Sequence, residues 1–422
     1  MVGQELSRTV NAHSQPISRA MEPISMITEV AAFEPLTSLH SFEARVSNEI
    51  SEVEDTWRRL SGGGVESPGQ SFDFVRLWVR DRGIRPADQH YVIGSVNGEP
   101  LALLPLHRKR MNGVRIFTWF PGSHAGCYAP IADPARLSAL GPAGRAALWK
   151  AMMQALKGAD LVYLRSVPAS VDGQPGLFDE LGSSLGVETL YRAQFSSWDQ
   201  CDHEQRSRSR RKHDRQQGDR LAALGSVAFE ELTDPAAALT ALDTMFAQRS
   251  ARFRAQGIRD AFVADDLISF YRSALDPASG LDVRLHVLRL DGVIVAVRYN
   301  MVHGERMFCL ISSMSDCERI QSGSPGKQCL LRVMQTVFDQ GISVFDMGSG
   351  HTDEKRHWCN IQVPLRQHYI ALTPIGMLVA QGHRAYQRVR CWAKTSDRVK
   401  AGRRALRRAM DRLAGGKTSD QL

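Results

Sequence analysis

Gly323, Ser324, Gly326 and Lys327 open an apolar helical pattern, and Asp346, His351, Lys355 and Trp358 follow the strand-like segment behind it. A helix start built of small residues exposes amides and the positive end of the helix dipole, so it can hold a phosphate, and Lys327 adds charge there. The same residues also make an ordinary capped helix. Ser324 suits the N-cap, where its hydroxyl accepts from a first-turn amide, and Pro325 suits the first helical position. Both readings stand at this point. His351 has the side chain whose ordinary pKa lies nearest neutrality, and it is equally at home as a surface loop residue. Asp346 ends a strand and can cap the Gly348-Ser349-Gly350 turn. Arg298 interrupts an apolar strand pattern, which suits a buried or cleft-facing charge or a solvent-facing edge.

The positioning elements follow from periodicity. Leu330, Leu331, Met334, Val337 and Phe338 share one helical face, and Gly341 suits the left-handed position that ends a helix. Ile342, Val344 and Phe345 then predict a buried strand ending at Asp346. Upstream, Phe42, Val46, Ile50, Val53 and Trp57 are spaced by three and four, which predicts a helix from Phe42 to Arg58. A second helix starts at Ser71. Strands follow at 90–96, 101–106 and 114–120, the first two joined by an Asn97-Gly98 hairpin turn. A helix over 139–156, a strand over 160–164, a helix over 177–185 and a strand over 187–192 complete the first half. The second half repeats this order. It has a strand at 227–231, helices at 235–254 and 267–275, strands at 281–290, 293–301 and 307–312 with an Asp291-Gly292 turn, the focal helix and strand, and a last strand at 365–372.

The chain has 422 residues, 43% hydrophobic and 23% charged, as expected of a globular protein of two or three domains. No apolar run approaches the ~20 residues of a membrane span, and the N-terminus lacks the apolar core of a signal peptide. Seven cysteines (127, 201, 309, 317, 329, 359, 391) are scattered and never spaced C-x-x-C. That pattern predicts free thiols, a cytoplasmic setting and no metal site. Residues 1–30 are polar and Ser-rich and are expected to be disordered.

Two tracts concentrate positive charge. Residues 203–220 hold seven Lys or Arg against three acids, which suits a phosphate or nucleic-acid patch or a solvated helix between domains. Residues 384–417 hold twelve against two Asp, a net of +10 that exceeds the +8 of the whole chain. With Val389, Trp392, Val399 and Leu406 as an apolar stripe, this segment predicts a helix for an anionic membrane surface or polyanion, or one docked on the domain.

The order of motifs across 200–370 resembles the BioF-like or CelD-like acetyltransferases of the GNAT superfamily, a family linked to cellulose and exopolysaccharide production. The residues that carry the likeness are Ser209 to Lys212, Phe253 to Gly257, Leu288 to Gly292, Asp316 ahead of Ser324-Pro325-Gly326, Phe345 to Gly350, and Lys355 with Trp358. The family is similar to Fem-type peptidyl transferases, which carry two GNAT-like halves. His351-Thr352-Asp353-Glu354 departs from the family's Gly-Asp/Glu-x-Tyr.

The resemblance implies an α/β (α+β) fold of two tandem GNAT-like domains, each a mixed, mainly antiparallel sheet flanked by helices. The expected division is 31–200, 201–375 and a basic helical tail over 376–422. It implies acetyl-CoA as co-substrate, with the pyrophosphate on Gly323, Ser324, Gly326 and Lys327. Asp346, His351 and Lys355 become candidates for catalysis, and Arg298, Asp316 and Trp358 for the acceptor. The acceptor would be a small molecule or glycan, with no specific nucleic acid, and the chain would sit in the cytoplasm or at the inner membrane. Two other readings stay open: a Fem-like transferase using aminoacyl-tRNA, and a non-catalytic scaffold at an anionic membrane.

Overall fold

A computed structural model describes residues 40–122 and 125–395, with the side chains of 394 and 395 left aside. The disorder expected of residues 1–30 and the tail beyond 395 lie outside the described residues.

In the first half the elements are β1 (Phe42–Ser47), α1 (Glu54–Leu60), α2 (Phe72–Asp81), β2 (Gln89–Val96), β3 (Glu99–Met111), β4 (Val114–Thr118), β5 (Ile131–Ala132), α3 (Pro134–Ala139), α4 (Gly141–Ala155), β6 (Leu161–Pro168), β7 (Ser170–Val171), β8 (Gln174–Pro175) and β9 (Ser183–Gln194). Two helices, α5 (Trp198–Gln205) and α6 (Arg208–Ala222), lead onward. The second half has β10 (Val227–Leu232), α7 (Pro235–Ala255), α8 (Ala261–Ala264), α9 (Ile268–Ser273), β11 (Asp282–Leu290), β12 (Val293–His303), β13 (Arg306–Met314), α10 (Glu318–Gln321), α11 (Pro325–Asp339), β14 (Val344–Ser349), α12 (Asp353–Trp358), β15 (Ile361–Ala371) and α13 (Pro374–Thr395).

Thirteen strands form one mixed sheet in the order β1-β2-β3-β4-β6-β15-β9-β14-β13-β12-β11-β10, with β5 beside β3, and β7 and β8 pair apart from it. Each half contributes an antiparallel meander and then a parallel pair, β4 with β6 and β13 with β14. The centre is a reciprocal exchange. The next strand of this sheet after β6, β9, pairs with β14 of the second half, and the strand after β14, β15, pairs with β6 of the first. β9 and β15 pair antiparallel with each other. The architecture is the expected α/β sheet flanked by helices, and one apolar core runs from Trp57, Phe74 and Leu104 to Met245, Phe270 and Tyr299 across both halves. A second core packs α11 (Cys329, Leu330, Val333, Val337) on Phe345 and Met307.

Both Asx-Gly turns close hairpins as expected, with Asn97 and Asp291 in the left-handed region. Two predicted helices are corrected. Residues 42–47 form a strand, because Phe42, Ala44 and Val46 alternate as well as they repeat, and β2 offers a partner for all six. Residues 177–185 turn at Gly182 (φ 71°) and enter β9, whose start pairs with β15. A strand paired along its whole length outweighs a short stretch of helical spacing.

Candidate functional site

The site begins where β13 and β14 part. They pair in parallel only through Arg306↔Val344, Met307↔Phe345 and Phe308↔Asp346. Just past that point each strand carries an irregularity. β13 skips Leu310 between Cys309↔Asn300 and Ile311↔Tyr299, and β14 skips Met347 between Asp346↔Arg192 and Gly348↔Tyr191. A bulge leaves its extra residue outside the ladder and bends the strand, so the two strands open a cleft. A cavity of about 200 Å³ lies there, lined by Phe308, Cys309, Asp346, Gly348 and Lys355, and by Glu66 and Cys127 from the first half.

Asp346 is buried, and both of its oxygens are engaged. Oδ2 accepts from Arg192 Nε at 2.7 Å, and Oδ1 accepts from the Gly348 amide at 2.7 Å. Arg192 reaches on to Glu66 Oε2 at 2.7 Å, and Glu66 also meets Arg306 at 2.8 Å. Burial opposes charge on Glu66, yet Arg192 and Arg306 hold its carboxyl below the usual range. Lys355 donates to the Ser349 carbonyl at 2.5 Å. Burial lowers its pKa, against the opposing pull of Cys309 and Asp346. Lys355 stands there because Thr352 caps α12 through the Lys355 amide at 3.2 Å, which aims the first turn back at β14.

Arg298 is buried and ties the cleft to α11, donating to the Gly326 carbonyl at 3.0 Å and to Cys309 Sγ at 3.4 Å, with Glu354 3.8 Å away. His351 is exposed, its ring 6.4 Å from that of Tyr191. Asp316 is exposed in the loop beyond β13. Trp358 is only 1% exposed, with Trp198 at 6.1 Å and the Arg206 guanidinium over its ring at 5.6 Å, so protein covers its faces.

The start of α11 differs from a simple cap. Ser324 is left-handed (φ 50°) and makes no side-chain cap; its hydroxyl accepts from Gln217 of α6 at 2.8 Å. Lys327 donates to Gln217 at 3.0 Å and is paired with Asp214. The Gly323, Ser324 and Lys327 amides already donate to Ile320, Gln321 and Ser324 carbonyls. A Cβ on Gly323 would lie 2.8 Å from that of Leu221, so α6 packs directly on this loop. Asp346 and Lys355 share the cavity wall with Cys309, which Arg298 contacts while also holding the Gly326 carbonyl, whereas Asp316 stands outside the cavity lining and Lys327 faces α6.

Sequence spacing missed Glu66, Cys127, Arg192 and Arg306. Arg192 carried one usable signal, a charge inside an apolar strand, the same signal that picked out Arg298.

Residues 208–356 match the model of the acetyltransferase (GNAT) domain. The likeness to a GNAT acetyltransferase domain is confined to this stretch, 149 of the 422 residues. It places the chain among acyltransferases in class. FemX aligns over 79% of this chain and 99% of its own at 10% identity, with a TM-score of 0.52, which shows a shared fold. A putative lysylphosphatidylglycerol synthetase C-terminal domain from Agrobacterium fabrum aligns at 14% identity over 79% and 95%, with a TM-score of 0.48. A tandem GNAT protein from the clavulanic acid pathway aligns at 10% over 79% and 99%, with a TM-score of 0.42. No curated protein matches the chain. Among the described residues no helix is long and apolar enough to cross a membrane, and no group of three or more His, Cys, Asp or Glu is placed to hold a metal ion.

Proposed function

We propose that the chain transfers an acyl group, acetyl first among them, from a CoA thioester to an amine or hydroxyl of a sugar or polysaccharide precursor, in cellulose or exopolysaccharide formation. The observation that carries this reading is the cleft between β13 and β14, with a half-buried amine in its wall, inside a stretch that matches a GNAT domain. The cavity suits the acyl end of the donor, and the bulged strands leave a backbone amide, that of Leu310, outside the ladder for a developing oxyanion. The thioester supplies an activated carbonyl. Lys355 takes the proton of the attacking amine or hydroxyl, a task for which a lowered pKa fits it. Asp346, held by Arg192 and Gly348, positions the strand end. His351 and Glu354 flank the route of the acceptor, and Arg298 holds Glu354 and α11 in place.

The pyrophosphate of the donor falls to Gly326 and Lys327, and Lys327 must first leave Asp214 and Gln217. The two halves, 31–200 and 201–375, act together, because Glu66 and Cys127 of the first wall the cavity of the second. The protein works in the cytoplasm beside the membrane, where α13 and the basic segment after it meet anionic lipid. Incubation with acetyl-CoA and a panel of amino sugars, sugars and glycan precursors tests the reading by thiol release. No CoA release with any acceptor, together with no thermal shift from any acyl-CoA, sinks it.

The engaged amides at the start of α11 favour one other reading, a Fem-like transfer from aminoacyl-tRNA. Arg208, Lys212 and Arg215 stand exposed along one face of α6 and would suit an RNA backbone. This reading requires tRNA binding that weakens steeply with salt; a flat response removes it.

A further inference from the structure

The first half has its own parting strands. β4 and β6 pair in parallel only through Ile116↔Leu161 and Phe117↔Val162, and β6 then runs on to Pro168 against β15. At this opening lies a hollow of about 600 Å³, a size typical of small-molecule sites. Alternate residues of three neighbouring strands face it: His107 and Lys109 of β3, Ile116 and Thr118 of β4, Tyr163 and Arg165 of β6. Trp78, Ile84 and Leu267 form an apolar wall opposite.

The charges on this surface do not cancel. Asp88 is taken by Arg85 at 2.7 Å and Arg108 at 3.3 Å, and Asp265 by Arg259 at 2.6 Å. Arg82 is committed to the carbonyls of Asp265 and Asp266 at 2.9 and 2.5 Å. Lys109 and Arg165 have no side-chain hydrogen bond or ion pair among the described residues. Lys109 is moreover half-buried, a costly place for an ammonium without a partner. The Nδ1 of His107 is likewise buried with no partner, its ring stacked on Phe120 at 5.6 Å. Burial brings the pKa of His107 down to about 4, so it is neutral at pH 7 and free to give or accept one hydrogen bond.

We propose that this hollow binds a small organic anion, its phosphate or carboxylate met by Lys109 and Arg165, its hydrogen bond completed by His107, and its apolar body laid on Trp78, Ile84 and Leu267. The site is separate from the β13–β14 cavity and does not depend on what that cavity does. Phosphate and carboxylate share the recognising chemistry, and the test separates them.

The full chain is titrated with pyrophosphate and, separately, with citrate, read by thermal shift and by tryptophan fluorescence, since Trp78 lines the hollow. At least one anion should bind saturably to the wild type and equally to Lys355→Ala, which alters only the other cavity. Lys109→Met and Arg165→Gln should each weaken it by about tenfold or more. Neither residue has a side-chain hydrogen bond or ion pair among the described residues, so both variants should melt as the wild type does without ligand, and Arg165→Lys should retain binding. Absence of saturable binding by either anion overturns the proposal. So does equal affinity in Lys109→Met and Arg165→Gln, or loss in Lys355→Ala alone, which assigns the anion to the other cavity.

Discussion

Arg192 lies directly opposite Asp346 in the β9–β14 ladder, and its Nε donates to the Asp346 carboxylate at 2.7 Å. The same guanidinium meets Glu66 at 2.7 Å, so one cation of the first half balances a carboxylate from each half, all three buried. Removing one partner of a buried pair costs about 3–5 kcal/mol, because the remaining charge is left uncompensated. Arg192→Met should therefore lower unfolding stability by about that amount in urea titrations, and Asp346→Asn should cost less, since its amide oxygen can still accept from Gly348. A loss under about 1 kcal/mol in Arg192→Met would show that the cluster does not hold the halves together.

Lys355→Ala should lower kcat by about 10²- to 10⁴-fold with little change in donor affinity, as expected when a proton acceptor is removed. The wild-type rate should rise with pH and level off below the ordinary lysine value of about 10.4, because burial depresses this amine. Stopped assays from pH 6 to 11 give the profile. A wild-type profile that keeps rising past pH 10 assigns the proton transfer elsewhere.

Glu66 supplies an acid-sensitive contribution to stability. Its folded pKa is depressed, so the stabilisation is fully present above the unfolded value of about 4.3 and is lost as pH falls through that value toward the folded one. Melting temperatures measured from pH 7 down to 3 should drop through this window. Glu66→Gln should be less stable at pH 7 and show a shallower drop. A Glu66→Gln slope equal to wild type would mean that other carboxylates set the acid limit.

Gln217→Ala should release the Ser324 hydroxyl and remove one of the two partners of the Lys327 ammonium, leaving it paired with Asp214 alone. If a CoA pyrophosphate rests there, its affinity should rise by a few-fold, read by calorimetry with CoA, and Lys327→Ala should reverse the gain. Unchanged affinity in Gln217→Ala places the pyrophosphate away from α11.

α13 turns Ile375, Leu378, Tyr386, Val389 and Trp392 toward solvent, with Leu378 73% and Trp392 63% exposed. Arginines 384, 388 and 390 lie on the same helix. Wild-type chain should sediment with vesicles containing anionic lipid and not with neutral ones. Leu378→Glu with Trp392→Glu should abolish this; retention of binding by the double variant would move the contact off α13.

Periodicity exposed what is local. The helix from Pro325 to Asp339, its end at Gly341 and the two Asx-Gly hairpins depend on neighbours within a few residues. Phe42 to Ser47 misled because a strand and a helix can place the same apolar residues inward, and only β2, far along the chain, decides between them. The site was half legible for the same reason. Lys355 and Asp346 lie close in sequence, but Arg192 and Asp346 are separated by 154 positions, and Glu66 by 126 from Arg192. No spacing rule spans such distances. The loss of the Ser324 cap was equally invisible, since it depends on Gln217 reaching across from α6.

The exchange of β9 and β15 sets the order in which the chain can fold during synthesis. β6 waits for a strand that ends at Ala371, and β14 borrows one finished by Gln194. Until the ribosome has released most of the described residues, the first half keeps an unpaired strand edge, the kind of surface that joins other chains. A fragment stopping near residue 200 would carry that open edge permanently. The native protein closes it only at the end, so the same late pairing that joins the halves also makes translation the period of greatest exposure to aggregation.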